Sequence, residues 1–201
     1  MTRAPLLRKV RFAALSLGAA ALLLLTMRSS VASLHRAHGS SDAPTIRDGE
    51  VFLVNRMAYD FRLPVLGVPV ARRSDPRRGD IVLFSMPGSG ALATKRVVAV
   101  PGDVVEVTGG GLVVNGVPAR YRPAGSTASS NALIEEWNGL SRLIMGPSQA
   151  SPREAAMVPP GHFYVLGDNR QQSLDSRDFG PVPRSAIRGR VVVGNREAGR
   201  R

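Results

Sequence analysis

Short apolar runs separated by turn residues fill the chain from Glu50 onward. Seven of these runs are rich in β-branched residues and are bounded by Gly, Pro, Asn or Asp: 51–54, 80–84, 96–100, 104–107, 112–114, 162–166 and 189–193. Runs of this length and composition are typical of β-strands. Asn115-Gly116 predicts a tight hairpin after the fifth run, and Pro101-Gly102-Asp103 predicts a turn after the third. The pattern therefore predicts a mostly β fold.

Two stretches depart from this pattern. Residues 122–155, which carry many Gly, Ser, Thr and Ala residues, predict a loop or an excursion from the main sheet, in which 135–144 could form a further hairpin. Residues 63–70 are apolar apart from one glycine and include two prolines, which excludes a central strand. This segment is either an edge or a loop, and it either covers the core or inserts into a lipid surface.

An uncharged segment near the N-terminus predicts a membrane anchor. Residues 12–27 follow basic residues at positions 3, 8, 9 and 11, and Arg28 ends the segment. At about 1.5 Å per residue the segment spans roughly 24 Å, short of a bilayer core of about 30 Å but sufficient with snorkelling arginines. A cleavable signal peptide with small residues near 31–33 and a buried soluble helix are the alternatives. The basic excess before the segment predicts a cytoplasmic N-terminus.

These features divide the chain into five predicted parts. They are a cytoplasmic basic tail (1–11), a single transmembrane anchor (12–27), a juxtamembrane linker (28–38), a β domain (39–195) that contains the 122–155 excursion, and a second basic tail (196–201). The β domain is expected on the extracytoplasmic face of the cell membrane.

Composition narrows the possible chemistry. The 201 residues include no cysteine, which excludes thiol nucleophiles, zinc ribbons and iron–sulfur clusters. The net charge of +12 is compatible with nucleic acid or an anionic membrane as partner. Part of this charge sets the topology of the anchor and the dispersed remainder favours anionic lipid, so we expect a lipid bilayer as partner and no nucleic acid. The 27 basic residues are 25 Arg and only two Lys, so Lys95 is the only lysine after the anchor.

Histidine offers no obvious site. No GxGxxG, P-loop, HExxH or GxSxG motif occurs, and His35 and His38 lack partners at metal-ligand spacing. A Ser-His-Asp triad would have to use His162, which alternates with Phe163 as an ordinary surface position of a strand. A serine paired with a lysine is the combination that remains.

Six ordered segments resemble the successive boxes of the bacterial type I signal peptidases, the S26-type Ser/Lys serine peptidases. These are 41–46, 48–56, 78–84, 95–103, 113–116 and 167–177, and they also resemble the mitochondrial inner-membrane peptidases. The resemblance covers about 39–193, and the run Gly-Asp-Asn at 167–169 followed by Asp-Ser-Arg at 175–177 is its most specific part.

The resemblance implies a membrane-anchored serine endopeptidase with a signal-peptidase-like β domain and an N-terminal transmembrane helix. Ser41 would be the nucleophile and Lys95 the general base, with no cofactor and no metal. A neutral amine can take the serine proton, whereas arginine stays protonated in the working range. The substrates would be secreted preproteins whose signal peptides end with small residues at positions −3 and −1, and we expect a monomer.

Supporting roles follow from the same resemblance for Gly167, Asp168, Asn169, Ser173, Asp175 and Arg177. Ser173 would orient the lysine by a hydrogen bond, and Asp175 and Arg177 would form a salt bridge. Gly167, Asp168 and Asn169 would make the tight turn behind the site.

Two positions depart from the family pattern. Gly39 stands where some members have a serine that donates to the oxyanion hole, and Asp42 stands where the family has methionine. A carboxylate within about 4–6 Å of Lys95 would favour the protonated amine and weaken the base. Ser40 is an alternative nucleophile in a shifted register, although it breaks the Ser-x-x-Pro spacing. A retargeted or catalytically silent member and a non-catalytic, basic, membrane-tethered binding protein are the rival functions.

Overall fold

The computed structural model describes residues 15–19, 31–62, 68–109, 111–125, 131–146 and 155–192. The strands within these ranges are β1 (Ala32–Arg36), β2 (Val51–Asn55), β3 (Asp60–Arg62), β4 (Pro69–Arg72), β5 (Ile81–Ser85), β6 (Leu92–Ala99), β7 (Val104–Thr108), β8 (Gly111–Val114), β9 (Val117–Pro118), β10 (Arg120–Pro123), β11 (Ala132–Trp137), β12 (Leu140–Met145), β13 (Ala156–Met157), β14 (His162–Leu166), β15 (Val182–Pro183) and β16 (Ile187–Val192). Residues 15–19 are helical, a four-residue helix, α1, spans Ser176–Phe179, and a 3-10 turn spans Arg184–Ala186.

The main sheet is antiparallel and carries its strands in the order β1-β2-β16-β5-β6-β14-β15. Its central strand β5 is buried on both faces, because Val82 and Phe84 pack into one apolar cluster and Ile81 and Leu83 into another. This two-sided burial explains why β5 reads as a continuous apolar run without alternation. The centre of the main sheet is therefore covered by a hydrophobic cluster on each face.

Three smaller sheets surround the main one. β13, β7, β8 and β9 form a sheet whose apolar face packs, with Trp137, against the main sheet at Val98 and Leu166. β10, β11 and β12 form a three-stranded sheet, and β3 pairs with β4 in a two-stranded ribbon. The mostly β class predicted from the sequence is confirmed.

The predicted hairpins are confirmed and their turns have a local cause. Asn115 and Gly116 take φ values of 53° and 75° between β8 and β9, and Asn138 and Gly139 take 49° and 74° between β11 and β12. Two consecutive residues with positive φ match the right-handed twist of the strands they join. The excursion predicted at 122–155 therefore contributes to an ordered three-stranded sheet over its described part.

Segment boundaries differ from the sequence prediction at two places. β6 begins at Leu92, whereas the sequence predicted a start at Arg96. The first residues of this strand are exposed or half-buried and do not form a run of β-branched residues, so the sequence pattern did not reveal them. β1 lies within the predicted linker 28–38 and pairs with β2 over its whole length. The folded unit thus begins before Gly39.

The predicted anchor, residues 12–27, lies outside the described residues except for 15–19, which are helical. In the part of the chain that the structure describes, no helix has the length and apolarity required to span a membrane. Residues 63–67 also lie outside the described ranges. The rest of that proline-containing segment belongs to the β3–β4 ribbon, where Val68 and Val70 are exposed.

Candidate active site

Ser41 lies in the turn that joins β1 to β2. Two backbone hydrogen bonds shape this turn, from the Ala43 N–H to the Ser40 carbonyl (3.1 Å) and from the Ile46 N–H to the Asp42 carbonyl (2.9 Å). Ile46 is only 1% exposed and anchors the turn in the core. The serine is therefore carried by a loop whose ends are held by a sheet and whose middle is held by a buried side chain.

Lys95 lies on β6 and reaches this turn across the sheet. Its Nζ is 2.7 Å from the Ser41 hydroxyl oxygen and 2.7 Å from the Thr94 carbonyl oxygen, and donates to both. Lys95 is buried, with 3% of its surface exposed. The two residues are far apart in sequence, yet their contact lies in the range that proton transfer from a nucleophile to a base requires.

Asp42 also lies beside Lys95. The two side chains are closer than the separation of about 4–6 Å at which a carboxylate is expected to affect a lysine amine. The Asp42 carboxylate is 3.6 Å from Lys95 Nζ and also accepts a hydrogen bond from the Thr94 hydroxyl. Burial raises the pKa of Asp42 to about 6, although Lys95 and Thr94 act in the opposite direction. Above that pH the carboxylate is ionised and places a negative charge beside the Lys95 amine.

The Ser40 hydroxyl is hydrogen-bonded to a side chain other than Lys95. It donates to the Gln172 side-chain oxygen at 3.1 Å. The neighbouring Gly39 has φ of 89°, and its N–H donates to Asp48 at 2.8 Å. A serine at position 39 would be strained at this φ, which gives a physical reason for glycine there.

Gly167 is required by close approach between two segments. A Cβ at this position would lie 2.2 Å from the Ser173 hydroxyl oxygen and 2.4 Å from the Ser41 carbonyl oxygen. Asn169 holds the same turn by donating its N–H to the Ser41 carbonyl (3.0 Å) and its side-chain amide to the Ser40 carbonyl (3.1 Å). These contacts fit the turn predicted at 167–169.

The ion pair predicted between Asp175 and Arg177 is present. Arg177 donates Nε and Nη2 to the two carboxylate oxygens at 2.8 and 2.9 Å. Asp175 also caps α1 and accepts the Gly167 N–H at 3.0 Å. Ser173 differs from its prediction, because its buried hydroxyl has no hydrogen-bond partner among the described residues and so makes no hydrogen bond to Lys95.

Asp168 has a role that the sequence did not predict. It forms a bidentate pair with Arg96, at 2.8 Å to Nε and 2.6 Å to Nη2, and accepts the Thr45 hydroxyl at 2.5 Å. Burial raises the pKa of Asp168, but Arg96 outweighs this effect and the net pKa lies below the ordinary value. Arg96 follows Lys95 directly on β6, so the two side chains point to opposite faces of the strand.

The serine and lysine open into a groove of about 580 Å³. Its walls carry both apolar and polar side chains and come from β1, the β1–β2 turn, β2, β5, β6 and the loops that follow β5 and precede α1; the apolar lining residues are Leu34, Ala37, Ile46, Phe52, Leu83, Met86, Leu92, Ala93 and Leu174. His35 and His38 also line the groove, and His35 stacks on Phe52 with ring centroids 5.9 Å apart. His38 is exposed and His35 half-buried; the sequence, which shows no metal-ligand spacing for either histidine, did not predict that they line this groove.

Asp42→Asn is expected to stabilise the protein more at about pH 7.5 than at about pH 5. Because the pKa of Asp42 is raised from 3.8 to about 6, the folded protein keeps a proton that the unfolded chain loses. Stability from this group is therefore lost as pH rises from about 4 to about 6. The gain should be about 1 kcal/mol larger at the higher pH. Urea unfolding of both proteins at the two pH values tests this, and equal gains would contradict it.

A buried lysine in contact with a serine hydroxyl brings together the groups that serine nucleophiles with an amine base need. Comparison with known proteins agrees with this class. The family model "Signal peptidase, peptidase S26" matches residues 10–194. The chain therefore belongs to the signal peptidase family, peptidase S26.

Individual relatives carry the name signal peptidase I. That of Pseudomonas aeruginosa is 36% identical over 164 residues, which are 77% of this chain and 58% of the relative. That of Leptolyngbya laminosa is 32% identical over 188 residues, 89% of this chain and 75% of the relative. A crystal structure of a signal peptidase I from Enterococcus faecalis V583 is 32% identical, covers 59% of this chain and 98% of its own, and has a TM-score of 0.41. The chain thus spans little more than half the length of the Pseudomonas relatives.

Proposed function

We propose that this protein is a membrane-anchored serine endopeptidase that removes signal peptides from secreted preproteins. The observation that carries the proposal is the contact of 2.7 Å between Lys95 Nζ and the Ser41 hydroxyl within an open groove. Family membership supports the same reaction class.

The reaction begins when the neutral Lys95 amine takes the proton of the Ser41 hydroxyl as its oxygen attacks the scissile carbonyl. The tetrahedral intermediate collapses to a serine ester, and the lysine returns the proton to the leaving amine of the mature protein. Water then attacks the ester with the same lysine as base, which releases the signal peptide and regenerates the serine. The Ser41 N–H is the proposed oxyanion donor.

The substrate is an extended signal-peptide end with small residues at positions −3 and −1. The groove of about 580 Å³ contains the serine and the lysine, and apolar side chains such as Ala93 and Leu92 line it beside them, which supports a subsite for small apolar side chains. The anchor at 12–27 keeps the N-terminus in the cytoplasm and the β domain at the extracytoplasmic face, where the scissile bond emerges.

Cleavage of a preprotein by the purified full chain in detergent tests the proposal. We expect one cut after a signal peptide with alanine at −1 and −3, identified by mass spectrometry of the product. A matched preprotein with tryptophan at −1 should be cut at least about tenfold more slowly, because a shallow pocket excludes the ring. Absence of any cut, or equal cutting of both substrates, would contradict the proposal.

A weakly active or retargeted peptidase is the second candidate, and the contact between Asp42 and Lys95 favours it. Asp42→Met removes the carboxylate that favours the protonated lysine. We expect the preprotein cleavage rate at about pH 7 to rise by about tenfold or more, because the negative charge beside the amine is gone. Thr94→Val, which removes only the hydroxyl that contacts Asp42, is the control and should change the rate much less. Equal cleavage rates for wild type and Asp42→Met would contradict the proposal of a peptidase weakened by Asp42.

A further inference from the structure

The three-stranded sheet contacts the loop that holds the nucleophile. The Met145 N–H donates to the Asp168 carbonyl at 2.8 Å, and the Arg170 N–H donates to the Met145 carbonyl at 3.1 Å. Met145 and Asn169 form an isolated parallel bridge. The end of β12 thus continues as a short backbone pairing with residues 168–170.

A buried ion pair joins the same two segments. Arg170 donates Nη1 and Nη2 to the two Glu135 carboxylate oxygens at 2.5 and 2.9 Å, and its Nε donates to the Gly167 carbonyl at 3.1 Å. Glu135 is 0% exposed and Arg170 3% exposed. Tyr121, on β10, adds a hydroxyl donated to Glu135 at 3.1 Å. A bidentate guanidinium–carboxylate pair fixes orientation as well as distance, so β11 sets the direction of Arg170.

The loop in turn holds the backbone of the nucleophile. Asn169, the residue before Arg170, binds the carbonyls of Ser40 and Ser41 through its side chain and its N–H. The contact between Ser41 and Lys95 depends on where these two peptide units lie. A displacement of about 1 Å at a reacting group can cost on the order of 100-fold in rate.

We propose that Glu135 and Arg170 are positioning residues, which hold Asn169 and through it the Ser41 backbone in the geometry that the proposed peptidase reaction needs. The inference rests on the proposed function for its effect on rate. The three-stranded sheet would thus support a site that lies on the main sheet. Neither residue touches the reacting atoms.

Glu135→Gln tests the proposal, since it keeps the side-chain shape and removes the charge. We expect kcat for preprotein cleavage to fall about tenfold with KM within about twofold. Glu136→Gln is the matched control on the same strand, because the pair of Glu136 with Arg122 is exposed, and it should leave kcat unchanged. Rates are referred to folded protein, measured by near-ultraviolet circular dichroism.

A double-mutant cycle separates positioning from a general loss of stability. If Glu135 acts through Asn169, adding Glu135→Gln to Asn169→Ala should lower kcat no further than about twofold. Effects that multiply would overturn the proposal, as would an unchanged kcat in folded Glu135→Gln. If Glu135→Gln does not fold, Arg170→Lys replaces it in the same cycle, because it keeps the buried cation and loses the Nε bond to Gly167.

Hydrogen exchange gives a readout that does not depend on activity. The Asn169 amide, which donates to the Ser41 carbonyl, should exchange at least about tenfold faster in Glu135→Gln or Arg170→Lys than in wild type. Glu136→Gln should leave this rate unchanged. Unaltered exchange at Asn169 would overturn the positioning role, whether or not the protein cleaves a preprotein. Faster exchange in a protein that cleaves no preprotein would support the positioning role and refute only the proposed function.

Discussion

Replacement of Lys95 by arginine is expected to reduce kcat/KM for preprotein cleavage by about 1,000-fold or more. Arginine keeps the positive charge and a similar length, but it cannot give up its proton in the working range and so cannot accept one from Ser41. Cleavage is followed with a labelled preprotein over the same pH range for both proteins. Lys9→Arg is the matched control, because Lys9 is the only other lysine in the chain, and it should retain the wild-type rate.

The nucleophile is tested in the same assay with a pair of neighbouring serines. Ser41→Ala should lose cleavage to the same extent as Lys95→Arg, and combining the two should add little, because both remove one reaction path. Ser40→Ala should remain within a few-fold of wild type, since the Ser40 hydroxyl contacts Gln172 and not the lysine. The opposite result, with Ser40 essential and Ser41 dispensable, would establish the shifted register. More than a tenth of wild-type activity in Lys95→Arg would refute the Ser/Lys mechanism.

Asp168→Ala is expected to lower the free energy of unfolding by about 3–5 kcal/mol at about pH 7.5. The change leaves the partly buried guanidinium of Arg96 without its bidentate partner, and breaking a pair of low exposure from one side is costly for that reason. Urea unfolding monitored by Trp137 fluorescence measures the loss. Glu136→Ala is the control, because its pair with Arg122 is exposed and such pairs contribute about 0–1 kcal/mol. A loss below about 1 kcal/mol for Asp168→Ala would contradict the expectation.

The stability that the Asp168 carboxylate contributes depends on pH with a definite sign. The pKa of Asp168 is lowered in the folded protein, so its ionised form contributes stability above the ordinary carboxyl pKa. This contribution is lost as pH falls through the lowered folded pKa. The difference in unfolding free energy between wild type and Asp168→Asn should therefore shrink below about pH 4. A difference that grows with acidity would show that the carboxylate is not held ionised by Arg96.

Much of the fold could be predicted because strand formation leaves local traces. The run at 162–166 coincides with β14, and the Asn-Gly turn lies where the sequence predicted it. The start of β6 could not be predicted, since its first residues become a strand by pairing with β5 rather than by their own composition. Likewise, β1 reads as a linker until its pairing with β2 is known.

The candidate site divides in a similar way. Ser41 and Lys95 could be assigned from sequence, because the resemblance to the signal peptidase boxes implies both, and the single lysine after the anchor among many arginines agrees with it. The pairs of Arg96 with Asp168 and of Arg170 with Glu135 could not be found, since each joins residues from distant strands or loops. The absence of a hydrogen bond from Ser173 to Lys95 among the described residues could not be predicted either, because it is decided by side-chain placement.

The sequence alone determined the residue types available for chemistry: a serine, one lysine beyond the predicted anchor, no cysteine, and an aspartate directly after the serine. Only the tertiary structure decided that Asp42 lies 3.6 Å from Lys95 and that the three-stranded sheet holds the loop behind Ser41. The physical reason is that charge interactions depend on distance and burial. Both are set by how the β1–β2 turn, β6 and the loop at 167–177 pack together.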